Sequence, residues 1–168
     1  MDQGTIFALV QGMNTLDNID DTLDFGALPP EVDRLLQHGV VAHFSDPARA
    51  EANFIAAIAM MPEALPAHRC LVKHYNRTRQ FESAHAATQA WLSEAVRHAQ
   101  LPGDWQQWQA APGYALAALK ALSFIHLRRG ETTEAGSIIR HLQRLDIDDA
   151  VGSSVVVALL EELEAEEV

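Results

Sequence analysis

The chain has 168 residues, 48% of them apolar and only 7% aromatic, and carries a formal net charge of −11. That length suits one domain with a buried core, and the abundance of Ala and Leu over aromatic residues favours helices over a β-rich fold. No apolar run reaches the roughly 18 residues of a membrane span, Met1-Asp2-Gln3 lacks the basic start of a secretory signal, and the single Cys70 leaves no internal disulfide to form, so a cytoplasmic protein is expected.

Residues 1–28 read as an acidic arm. Ile6-Phe7-Ala8-Leu9-Val10 suits either a short helix or a strand-like segment, and the stretch Asp17 to Asp24 is acidic. Breakers then fall at Gly26 to Pro30, Asp46-Pro47, Pro62, Pro66, 101–104, Pro112-Gly113, Gly130 and Gly152. Between them apolar residues recur at intervals of three and four, which predicts helices over about 30–44, 47–61, 65–78, 80–99, 114–129, 132–145 and 149–166. Asp46 before Pro47 is a good N-cap followed by Pro in the first turn. Asp148 and Asp149 suit a cap for the last helix, whose Val151, Val155, Leu159 and Leu163, flanked by Val156 and Leu160, form an apolar stripe. No segment shows strand alternation.

Charge is segregated along the chain. All 12 Lys and Arg lie between Arg34 and Arg144, whereas residues 1–33 hold seven acids and 146–168 hold eight, with no base in either. Such asymmetry bears on partners and solubility more than on fold.

An internal repeat is present. Ala50 and Ala84 stand 34 residues apart, and Ala135 lies 51 further on, one such period plus 17. One unit contains Gly39, Ala50, Phe54, Ala57 and Pro62. A second contains Leu71, Tyr75, Ala84, Thr88 and Trp91. The third has Leu122, Ser123, His126, Gly130, Ala135, Ile139 and Leu142, closing on Leu145-Asp146-Ile147-Asp148-Asp149. Over about 31–148 this pattern resembles the tetratricopeptide repeat family, though no unit has the full motif. The resemblance implies an all-α, right-handed helical-repeat solenoid over 29–168. It would have three irregular helix pairs, an insert at 101–113 and a C-terminal capping helix. The chain more distantly resembles small repeat proteins encoded near nitrogenase genes, through Ala118-Leu119-Lys120-Ala121-Leu122 and Val151-Gly152-Ser153-Ser154-Val155.

Signatures of catalysis are missing: no phosphate loop, no nucleophile elbow, no His-Glu-x-x-His. Cys70 and His74 have the i, i+4 spacing of a shared metal site, but inside a repeat helix they read more simply as packing residues. No cofactor and no metal are expected. A metal-carrying or enzymatic accessory protein using Cys70 and the histidines remains the alternative, as does a purely structural subunit of an oligomer.

The family resemblance also implies a ligand groove lined by the first helix of each pair. Carried onto Tyr75 it selects Arg69, Lys73, Asn76 and Arg77. Carried onto His126 it selects Lys120, Phe124, Leu127 and Arg128, and onto Ala42 it selects Leu36, Val40, His43 and Phe44. Both lysines of the chain fall in this set. A basic groove of this kind suits an acidic protein or peptide segment, from a client or from the protein's own acidic end, held by charge-assisted hydrogen bonds. Nucleic acid is not expected, because the acidic ends would repel phosphates. Trp105 and Trp108 read as residues that pack the insert down or, if exposed, as a partner interface.

Overall fold

A computed structural model describes residues 23–167, and among these the regular structure is entirely helical. Seven α-helices follow one another: α1 (Pro30–Ala42), α2 (Pro47–Met60), α3 (Leu65–Arg77), α4 (Phe81–Ala99), α5 (Gly113–Arg128), α6 (Thr132–Leu145) and α7 (Ser154–Glu166). A short 3-10 turn, Trp105–Gln107, interrupts the connection between α4 and α5. No helix of the described residues is long and apolar enough to cross a membrane. The expected arm at 1–28 lies, as far as residue 22, outside the described residues. Its last part is already packed: Leu23 and Phe25 are buried, and the Leu23 amide donates to Gln37 Oε1 at 3.1 Å while its carbonyl accepts from Gln37 Nε2. The chain divides into two compact units, one ending at Ala87 and the other starting at Thr88, with the boundary inside α4.

In the first unit α1 packs on α2, α2 on α3, and α1 also reaches α3. The starts of α1, α2 and α3 each carry Pro in the first turn, where a missing N–H costs nothing. Asp46 caps α2 as expected, its carboxylate accepting the Arg49 amide at 3.2 Å. Close approach of α1 and α2 depends on Gly39: a Cβ there would sit 2.4 Å from the Phe54 ring, itself 1% exposed. Imidazole His68 fastens the next turn, its Nε2 donating to the Pro62 carbonyl at 2.6 Å.

The second unit repeats that order of contacts, with α5 on α6, α6 on α7, and α5 touching α7. Leu127, Ala135, Ile139, Val156 and Leu160 form its buried centre, with Phe124, Val157, Leu159 and Leu163 packed around them. The last helix thus closes the apolar side of α5 and α6, with Leu159 and Leu163 of the stripe read in the sequence at the edge of the contact and its flanking residues at the centre. Val155 is 62% exposed, and Val156 and Leu160 take the buried positions.

The start of α7 also differs. It begins at Ser154 and not near 149, because Asp146 organises the preceding residues into a loop. Its buried carboxylate accepts the amides of Ala150 (2.9 Å) and Val151 (3.1 Å) and the Ser153 hydroxyl (3.3 Å). Asp149 then receives the Ser154 amide at 3.0 Å and its hydroxyl at 2.7 Å, so it does serve the helix start, from five residues upstream.

In the insert, Asp104 accepts the Gln106 amide at 2.9 Å and starts the 3-10 turn. This turn separates the two indoles. Trp108 is buried, 1% exposed, with its Nε1 donating to the Pro102 carbonyl at 2.8 Å, and so presents no surface to a partner. Trp105 stays partly exposed beside α6, its ring 5.4 Å from that of His141.

Candidate functional site

The expected groove residues fall into two groups, one in each unit. Arg69, Lys73, Asn76 and Arg77 share one face of α3, at helical offsets of four, seven and eight, and all four are half-buried. The other face carries Ala67, Cys70, Leu71, His74 and Tyr75 into the core. The helix is short and amphipathic, so its bases are forced onto one side. Burial lowers the pKa of both Arg69 and Arg77, which means that the fold makes their charges harder to hold. Asn76 adds a buried Oδ1 that accepts no hydrogen bond.

Beneath this face lies a polar cluster that sequence spacing does not reveal. His43 Nδ1 and His74 Nδ1 are 2.7 Å apart, both rings are buried, and Phe44, Phe54 and Tyr75 surround them edge-on or tilted. One imidazole donates and the other accepts, so a single extra proton can be shared but two cannot. Burial, then His74, then Arg77 push His43 down to about 4, and burial lowers His74 against the opposing pull of Glu51. Tyr75 donates its hydroxyl to Glu51 at 2.8 Å, and burial together with that bond raises it to about 12.

Of the four residues expected from the first helix pair, Leu36 and Val40 are core, His43 is the buried partner of His74, and Phe44 is half-buried with its ring 4.6 Å from that of His43. In the second unit Lys120 donates to the Val151 carbonyl at 2.9 Å, tying α5 to the loop before α7. Phe124 packs against the α7 cluster, Arg128 lies over its ring at 5.9 Å, and Leu127 is buried at 3% exposure. On α5, then, the positions selected by family rule serve the packing of this unit, with Arg128 the exposed member.

Cys70 is fully inside. Burial raises its thiol to about 12 despite the nearby Lys73 and Arg69, so the thiolate needed for nucleophilic attack or metal ligation is disfavoured. His74, four residues on, is bonded to His43 instead. Among the described residues no group of three or more His, Cys, Asp or Glu side chains is placed to hold a metal ion.

A second basic locality, which the sequence reading does not pick out, lies on α6. Trp105, Gln106, Ser137, Arg140, His141 and Arg144 line an open cleft of about 420 Å³. It escapes a search restricted to the first helix of each pair, because α6 is a second helix. The signal that finds it is Arg140-x-x-x-Arg144 with no acid three or four residues away within α6. No protein-family model, no curated protein and no solved structure matches the chain.

Proposed function

We propose that this chain is a non-catalytic binding module, tetratricopeptide-like in construction, that grips an acidic protein segment on the exposed side of α3. The observation that carries this reading is the half-buried row Arg69, Lys73, Asn76 and Arg77. Arg69, Lys73 and Arg77 bring three basic groups onto two turns of one helix, which makes this face attractive to negative charge. A carboxylate docked there gains charge-assisted hydrogen bonds, while the Asn76 amide can pair with a peptide backbone. Every residue of the second repeat pattern, Leu71, Tyr75, Ala84, Thr88 and Trp91, is buried, which is what a packing motif requires. The raised Cys70 thiol supports a binding role over one as nucleophile or metal carrier.

The resemblance to repeat proteins encoded near nitrogenase genes makes a nitrogenase component or maturation factor the client to try first. The test is capture from native extract by the parent and by a Lys73→Glu, Arg77→Glu variant. Lys120 is left alone, because its bond to Val151 gives its replacement a structural cost. The parent should retain partners that the variant loses, with circular dichroism unchanged. An identical set of retained proteins would place the binding surface elsewhere.

A further inference from the structure

The cleft beside α6 has the composition of a small-anion site. Arg140 and Arg144 stand one helical turn apart, and their only bonds are to neutral groups: Arg140 Nη2 to Ser137 Oγ at 3.4 Å, and Arg144 Nη2 to His141 Nδ1 at 2.6 Å. Two other exposed arginines show the contrast, since Arg34 pairs with Glu31 and Arg97 with Glu94. Among the described residues no carboxylate pairs with Arg140 or Arg144. An arginine can only donate, so His141 Nδ1 must accept, and the neutral ring then carries its proton on Nε2. That Nε2 is buried without a hydrogen-bond partner, on a residue only 6% exposed that lines the cleft. Two unmatched guanidinium groups, an unused N–H donor and a hydroxyl therefore surround one space. Its remaining wall is the Trp105 indole, partly exposed and held at 5.4 Å from His141 by the capped turn behind it.

We infer that the α6 cleft binds a phosphate monoester carried on a planar ring, with Arg140 and Arg144 on the phosphate and Trp105 along the ring. A phosphomonoester carries nearly two negative charges near neutral pH and so balances two guanidiniums, which a single carboxylate does not. The volume is within the range of small-ligand clefts, and the predominance of polar lining suits an anion over an apolar molecule. This inference is independent of the reading of α3: it concerns another unit, another helix and a small molecule.

The test is a calorimetric titration of the full chain with phenyl phosphate, inorganic phosphate and benzoate at low salt. Phenyl phosphate should bind more tightly than inorganic phosphate, and benzoate most weakly. Arg140→Gln with Arg144→Gln should weaken phenyl phosphate by roughly tenfold or more for each charged hydrogen bond lost. Arg140→Gln alone gives up the hydrogen bond to Ser137 and serves if the double variant misfolds. Trp105→Leu should bring phenyl phosphate close to inorganic phosphate without changing the latter. No heat from phenyl phosphate at millimolar concentration, equal binding of benzoate, or binding indifferent to Arg140→Gln would each overturn the inference.

Discussion

The two three-helix sets, α1 to α3 and α5 to α7, share an order of contacts yet treat buried polar groups in opposite ways. The first buries neutral imidazoles against each other inside a ring of aromatic side chains. The second buries a carboxylate, Asp146, and satisfies it from the backbone of its own loop, with Lys120 holding the next carbonyl. A hydrogen-bonded carboxylate fixes one chain path, and the start of α7 follows from it. The imidazole pair instead holds its place only while it carries at most one extra proton. The same packing scheme thus yields one set defined by geometry and one that is sensitive to acid.

The comparison breaks first at Trp108. If the insert belongs to the core of the second unit, Trp108→Ala should cost about 3–5 kcal/mol in denaturant unfolding. Unchanged stability would show that the insert is an appendage and that the buried indole contributes little.

Acid should sharpen the contrast. His43 is held near 4 against an ordinary 6.5, so between those values the unfolded chain binds a proton that the folded one refuses. Stability is therefore full above about pH 6.5 and is lost progressively toward pH 4, by up to about 3 kcal/mol for a depression of this size. The cost should appear in the first unit. His43→Gln should flatten that part of the profile; an equal slope in the variant would assign the acid sensitivity to other groups.

A smaller effect is expected at Gly39. Alanine there gains helix propensity of about 1 kcal/mol, but its Cβ collides with Phe54, and overpacking costs about 1–3 kcal/mol. The net outcome in thermal unfolding should be modest destabilisation. A stabilised variant would mean that α1 and α2 can separate without penalty.

Much of the fold is legible in the sequence, because the helices are marked by strong punctuation. Asp46-Pro47, Gly130 and Pro112-Gly113 each stand where an element starts or ends. The α7 start is misplaced because two neighbouring acids, Asp148 and Asp149, look like caps, whereas the loop is built by Asp146 through contacts with backbone amides. Periodicity marks the α7 stripe but not its rotation by one residue, which depends on where Leu127 and Ile139 sit. For the site, the α3 face comes from the family resemblance, and the spacing agrees with it, since i, i+4 and i+8 lie together on any helix. Neither the His43–His74 pair, 31 residues apart, nor the meeting of Trp105 with His141 leaves a local trace. Those depend on tertiary packing.

The role assigned to α3 is tested most directly by titrating the full chain with a synthetic peptide of its own acidic sequence 161–168, at low and at physiological salt. The parent should bind, and binding should fall as salt rises, since partly exposed charges are screened over about 8 Å at physiological ionic strength. Lys73→Glu with Arg77→Glu should weaken the peptide by about 100-fold, at roughly 1.5 kcal/mol for each charge-assisted bond. Binding that is insensitive to salt and equal in the variant would contradict a basic binding face on α3.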